Sequence, residues 1–173
     1  MKKILVFAML LAAAFSAGAQ NFEGTFTQTK TLKVSKKTIK SAGNISFTSP
    51  DQLALIYTKP DGDYFIIDGP FVRMDLRGVQ ADLDASTNKA ILAQRNAILY
   101  SIQGKYEEIA KEMDADCTVT NGKAGKHVSI KVRKTKPKGY SGMELDYNKA
   151  GRITKMVLEE FGGISTEYVV SVK

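Results

Sequence analysis

Two stretches of period-two alternation, separated by one stretch of helical period, constrain this chain more than any other feature of its sequence. Phe22, Gly24, Phe26 and Gln28 fall on one side of FEGTFTQTK, Gly43, Ile45 and Phe47 on one side of GNISF, and Leu53, Leu55 and Tyr57 on one side of QLALIYTKP. Side chains of an extended strand point to its two faces in turn, so this spacing reads as a run of strands, continued by DYFIIDG and FVRMDL. The turns between them are spelled out by Thr48-Ser49-Pro50-Asp51, Pro60-Asp61-Gly62-Asp63 and Asp68-Gly69-Pro70, residues that preset or tolerate turn dihedrals. No segment before residue 85 is long enough for a crossover helix. The strands predicted here therefore pair antiparallel with their neighbours, which excludes the parallel α/β folds.

The period changes at STNKAILAQRNAILYSIQGKYEEIAKEM, residues 86 to 113. Ile98, Leu99, Ile102, Tyr106, Ile109, Ala110 and Met113 recur at three- and four-residue steps, while Lys105, Glu107, Glu108, Lys111 and Glu112 take the other side. Ser86 or Thr87 is placed to cap the start. Gly104 weakens the middle, so the segment reads as one helix or as two with a joint. Alternation then returns through Val128, Ile130 and Val132, through Met143, Leu145 and Tyr147, through Met156 and Leu158, and through Ile164, Thr166, Tyr168, Val170 and Val172. YNKAGRI and EEFGGIST read as hairpin turns. The predicted fold is mainly β: a half-open antiparallel β-barrel of about 11 strands with a helical lid inserted mid-chain, because a sheet this wide curls. In Leu53-Ala54-Leu55-Ile56-Tyr57 both faces of one strand are apolar, and the expectation is a cover on each.

The leader MKKILVFAMLLAAAFSAGA joins two lysines, an apolar stretch from Ile4 to Phe15, and Ala17 and Ala19 in an A-x-A arrangement. That is the pattern of a secretory signal peptide, residues 1–19, cleaved before Gln20. Its apolar stretch is shorter than the roughly 20 residues that span a bilayer. Removing it leaves 173 minus 19, or 154 residues, read as one domain over 20–173. Of 25 basic residues Lys2 and Lys3 leave with the leader, so 23 minus 18 gives a net charge of +5. For an exported basic protein the available polyanions are lipid headgroups and envelope glycolipids, and no nucleic-acid partner is expected. KVSKKTIK (33 to 40) and KVRKTKPKG (131 to 139) are the densest basic runs, readable as partner-facing or as solvated loops. Cys117, the single cysteine, leaves no internal disulfide and no lipobox, and reads as a half-buried structural thiol.

Catalytic patterns are missing from the sequence. His127 is the single histidine and alternates away from Val128, Ile130 and Val132, so it is expected at the surface. No GxSxG elbow, phosphate-cradling glycine loop or CxxC pair occurs. Asp61/Asp63 and Asp82/Asp84 read as turn-forming or solvated acids rather than an acid/base or calcium site. No enzyme, no cofactor and no metal is expected. What remains is a set of aromatic, methionine and aliphatic side chains on inward strand positions, which serve a packed core or an adaptable apolar site equally well. The cavity reading assigns Phe26, Phe47, Leu55, Tyr57, Met74, Met143, Leu145, Met156, Leu158 and Tyr168 to the wall, and Ile98, Leu99 and Ile102 to the moving lid face.

The order of these features resembles the outer-membrane lipoprotein carrier family, LolA. The resemblance is carried by FEGTFTQTK near the mature start, GNISFTSPDQLALIYTKP, the FIIDG that follows, the insert RNAILYSIQGKYEEIAKEM and the closing hairpins through GGISTEYVV, nearly the whole mature chain. It implies a half-open barrel that holds the acyl chains of lipoproteins across the periplasm and delivers them to the outer membrane. It further implies acylated lipoproteins or other lipids as cargo, an inner-membrane release complex and an outer-membrane acceptor as partners, and a monomeric carrier. Two departures stand out: only Gln20 and Asn21 precede the first strand, where the family has a helix, and Ser49 stands where family members often place a basic residue before the proline. The first implies a more open lid. A carrier of another lipid or glycolipid, and a non-carrier envelope domain that binds protein on the same curled sheet, are the alternative readings.

Overall fold

The computed structural model describes residues 21–134 and 139–173; the predicted signal peptide and part of the second basic run lie outside them. Six strands come first: β1 (Phe22–Leu32), β2 (Lys37–Thr48), β3 (Gln52–Lys59), β4 (Asp61–Asp68), β5 (Phe71–Leu76) and β6 (Val79–Asp84). A 3-10 turn (Ala85–Thr87) leads into α1 (Lys89–Gln103) and α2 (Tyr106–Met113). Five strands close the chain: β7 (Ala115–Asn121), β8 (Gly125–Val132), β9 (Tyr140–Asn148), β10 (Ile153–Glu160) and β11 (Ile164–Val172). All belong to one antiparallel sheet of 11 strands in the order β6-β5-β4-β3-β2-β1-β11-β10-β9-β8-β7. The first and last strands pair in its middle, Phe26 opposite Val170 and Leu32 opposite Ile164. The free edges are β6 and β7, so the sheet is not closed, and the helices form the connection from one edge to the other. This is the half-open barrel with a helical lid that the alternation predicts.

Up-and-down order gives the sheet two distinct ends. The turns after β1, β3, β5, β8 and β10 all fall at one end, called the rim below; the turns after β2, β4, β7 and β9 fall at the other, with the start of α1. Curling needs close approaches and irregular pairing. Between Ala42 and Gly43 the β2–β3 register shifts, and a Cβ on Gly43 would lie 2.2 Å from the Ile56 carbonyl oxygen, so only glycine fits there.

Inward positions carry the core: Phe26, Ile45, Phe47, Leu53, Leu55 and Tyr57 are buried on β1 to β3, and Val128, Ile130, Met143, Leu145 and Tyr147 on β8 and β9. The second face of QLALIYTKP departs from expectation. Ile56 is 45% exposed on the convex side, so that face of the strand has no protein cover there. The continuous apolar run is half core and half surface, since Leu53, Leu55 and Tyr57 alone turn inward.

The insert is two helices. Gly104 sits between them with φ 71°, the left-handed C-cap of α1, which glycine adopts without the steric cost a Cβ would bring. The predicted cap at Ser86 or Thr87 is corrected: Asn88 caps α1, its side chain accepting from the backbone N–H of Ala90 and Ile91, while Asp84 caps the preceding 3-10 turn through Ser86. The competing cap wins because Asn88 directly precedes the first helical residue, whereas Ser86 and Thr87 are consumed by the 3-10 turn.

Candidate functional site

The concave face is covered in two different ways. Over β7 and β8 it is covered by α2, whose Ile109 is 1% exposed, and Val128, Ile130 and Leu145 beneath the helices are fully buried. Over β1, β3, β5, β10 and β11 side chains leave a cavity of about 260 Å³. Ile98 and Ile102 of α1 form one side of it, opposite Phe26, Leu55, Met74, Met156, Leu158 and Tyr168.

Eight of the thirteen predicted side chains therefore border the cavity, the six wall residues just named together with Ile98 and Ile102. Five do not. Leu99 points from α1 into packed protein, and Met143 and Leu145 lie within the core on β9. Phe47 stands at the end opposite the rim against Phe22, ring centroids 5.9 Å apart. Tyr57 packs edge to face on Phe26 at 5.1 Å and is not among the side chains that line the cavity. Alternation identifies the inward face, but whether an inward side chain meets helix or cavity depends on where the lid lies, which period two does not encode.

The structure adds wall residues that sequence reasoning missed. Ile45, Leu53, Phe65, Leu76, Ile153 and Val170 extend the apolar lining, and Gln28, Lys30, Tyr140, Glu160 and Thr166 give it polar character toward the rim. Gln28 and Lys30 were legible, since they follow Phe26 at steps of two. Tyr140 was not: the β9–β10 register shifts between Glu159 and Glu160, and that irregularity brings Tyr140 onto a face its spacing from Met143 would deny it. The result is an amphipathic cavity, apolar against α1 and polar where it meets the rim. Gln28 Nε2 donates to Tyr168 Oη at 2.8 Å. Burial pushes the Tyr57 hydroxyl up to about 12 and that of Tyr168 well above the ordinary tyrosine value, so both remain neutral donors throughout the physiological range.

Few polar contacts hold the lid. Arg95 of α1 donates to the Gly69 carbonyl at 2.7 Å and to Asp51 at 3.2 Å, tying the helix to the turns after β4 and β2. Gln103 donates to the Pro50 carbonyl. Tyr147 Oη donates to the Ser101 carbonyl at 2.7 Å in a buried contact. Ser49 stays at the surface, its N–H donating to Asn21 Oδ1; the cation that reaches from lid to turn comes from the helix, as Arg95.

The remaining titratable groups lie apart from the cavity. His127 is exposed on the convex face, its Nδ1 2.6 Å from Asp146 and its Nε2 3.1 Å from Glu144. Cys117 is a half-buried free thiol whose pKa burial pushes up, the opposite of an activated nucleophile. Asp63 accepts from the Arg77 N–H, Asp82 pairs with Arg73, and Asp84 caps the 3-10 turn, while Asp61 is exposed at the start of β4. Among the described residues no cluster of three His, Cys, Asp or Glu side chains is arranged to hold a metal ion.

A curled antiparallel sheet, an apolar interior and a helical lid anchored at a few points define a barrel-like protein built around an adaptable hydrophobic cavity. The family model described as outer membrane lipoprotein carrier protein LolA matches residues 17–172, and the chain belongs to that family. A search of curated proteins finds no match. Among solved structures, a LolA superfamily protein from Nitrosomonas europaea is 9% identical, with 88% of this chain and 84% of that one covered and a TM-score of 0.41. The Mycobacterium tuberculosis lipoprotein LppX is likewise 9% identical, covering 90% of this chain and 87% of that one with a TM-score of 0.39. The assignment rests on the family model alone.

Proposed function

We propose that this protein is a periplasmic carrier that takes up acyl chains in the cavity beneath α1 and delivers the lipoprotein that bears them to the outer membrane. The observation that carries the reading is the amphipathic cavity itself, with Ile98 and Ile102 at its lid side and Gln28, Lys30 and Glu160 toward the rim. Chains enter from the rim with their apolar ends toward α1, and the ester and amide groups of the anchor remain near the polar side chains. Each CH₂ removed from water contributes about 0.8 kcal/mol, so a free chain stays in the bilayer unless something shields it. Exchange between bilayer and cavity replaces one apolar setting by another, and the transfer needs no nucleotide on the carrier. Catalysis has no part in this, and the whole cycle belongs to one monomeric domain, exported by its signal peptide.

At about 260 Å³ the cavity lies below the roughly 300–1,000 Å³ of common small-molecule sites, so loading moves the lid outward. The same volume favours a second reading, cargo with a single acyl chain rather than the several of a lipoprotein anchor.

A fluorescent fatty acid tests the site. Ile98→Glu places a carboxylate on the half-buried lid side of the cavity and is expected to weaken the probe by at least about tenfold. Leu92→Glu on the same helix, 37% exposed and away from the cavity, is expected to bind as the parent does. Undiminished binding by a folded Ile98→Glu protein would remove this site from consideration. Depletion of the protein followed by comparison of membrane fractions tests delivery: lipoproteins should leave the outer membrane.

A further inference from the structure

The two most exposed large apolar side chains among the described residues are Val34, 91% exposed, and Val79, 66% exposed. Each lies at a hairpin turn, Val34 between β1 and β2 and Val79 at the start of β6, and both turns belong to the rim, the end of the sheet toward which the cavity turns its polar groups. Other exposed apolar residues, such as Ile56 and Val169, lie along strands at about half that exposure or less relative to Val34. Lys36 and Lys37 stand beside Val34, and Lys59 sits in the rim turn between the two valines. None of the three has an ion-pair partner among the described residues. Among the nearby acids Glu159 pairs with Lys33, and Asp114 and Asp116 pair with Arg133. Asp63 and Asp75 accept from the neutral Arg77 N–H and Gln80 amide and keep their charge, Asp61 is exposed, and Glu160 borders the cavity, so the lysines at Val34 form the more basic part of the rim.

We infer that this rim docks on an anionic lipid surface, with Val34 and Val79 entering the headgroup region and Lys36, Lys37 and Lys59 meeting its phosphates. Separated aliphatic tips ringed by lysines fit a bilayer better than a protein partner. A protein interface concentrates its apolar area in a contiguous centre, enriched in aromatic residues and depleted of lysine. A bilayer accepts isolated aliphatic tips, attracts unpaired lysines through its surface potential, and lets their stems lie against apolar material while the ammonium groups stay wet. Docking in this pose faces the cavity mouth to the membrane and shortens the aqueous path of an acyl chain.

The test is flotation of protein purified from the soluble fraction of cells expressing the full chain. It is mixed with vesicles of phosphatidylcholine, with and without phosphatidylglycerol, at low and high salt. The parent is expected to float with phosphatidylglycerol vesicles at low salt and to be released at high salt. Lys36→Asn with Lys37→Gln should weaken this by about fivefold for each lysine removed. Val34→Asp with Val79→Asp should also weaken it, and each variant should bind the fatty-acid probe unchanged, which separates docking from cargo binding and reports an intact fold. A parent that stays unbound with phosphatidylglycerol vesicles overturns the lipid surface and leaves the rim to a protein partner. Variants that float as well as the parent overturn the assignment to these residues.

Discussion

Phe47 and Leu158 share an inward orientation and differ in what lies beyond them. Phe47 is 1% exposed in packed protein, whereas Leu158 borders the cavity. Truncating a fully packed aromatic leaves a new void, so Phe47→Ala should lower stability by about 3–5 kcal/mol in urea unfolding. Leu158→Ala enlarges a space that already exists and should fall near the lower end of its class, about 2 kcal/mol. Equal losses would mean that the cavity lining is as tightly packed as the core. On the convex face the His127 ring is held by Asp146, with Glu144 on its other nitrogen, and the hydrogen bond that its Nδ1–H donates to the Asp146 carboxylate raises its pKa above the ordinary value of about 6.5. The stabilisation is complete below that ordinary value and disappears as pH rises through the raised one. An NMR titration should therefore place the His127 midpoint above the ordinary histidine value, and Asp146→Asn should bring it down. A midpoint unmoved by Asp146→Asn would assign the shift elsewhere.

Among the elements, α1 carries the account. Fifteen residues give a rod of about 22 Å, fixed to sheet turns through Arg95 and Gln103 and to β9 through Tyr147. Each is a separable anchor. Tyr147→Phe removes the buried hydroxyl donor to the Ser101 carbonyl and leaves it only the Gly104 N–H at 3.3 Å, a loss of about 1 kcal/mol, and Arg95→Ala removes the tie from mid-helix to the turns after β4 and β2. Both changes should speed release of a fatty-acid probe in stopped-flow displacement, by about fivefold for the tyrosine change, with little effect on the sheet. Release rates unchanged in both variants would mean that cargo leaves without movement of α1. The helix was plain in the sequence from its stripe and from Gly104 at the joint. Its cap and its anchors were not, because Asn88 competes with two equally suitable neighbours and because Arg95, Gln103 and Tyr147 find partners distant in the chain.

At the scale of the whole molecule, the two antiparallel halves of the 11-stranded sheet follow from alternation and turn chemistry, both local signals, while the pairing of β1 with β11 that joins the halves in its middle does not. The division of its concave face is not local. Leu55 and Leu145 are alike in the sequence, each alternating inward on a strand. One borders a cavity and the other lies buried within the core, according to where the helices cross. At the polar rim end Tyr140 escaped for a related reason, since a register irregularity in the β9–β10 pairing places it on a face that its spacing denies it. The central claim is that the cavity carries an acyl chain in the cell. Native mass spectrometry of protein recovered from its own envelope, released gently and dissociated in the gas phase, tests it most directly. The account predicts a mass adduct that liberates an acylated species from the parent protein and is lost in Ile98→Glu. A parent protein that arrives without any adduct and takes up no added lipid would contradict it.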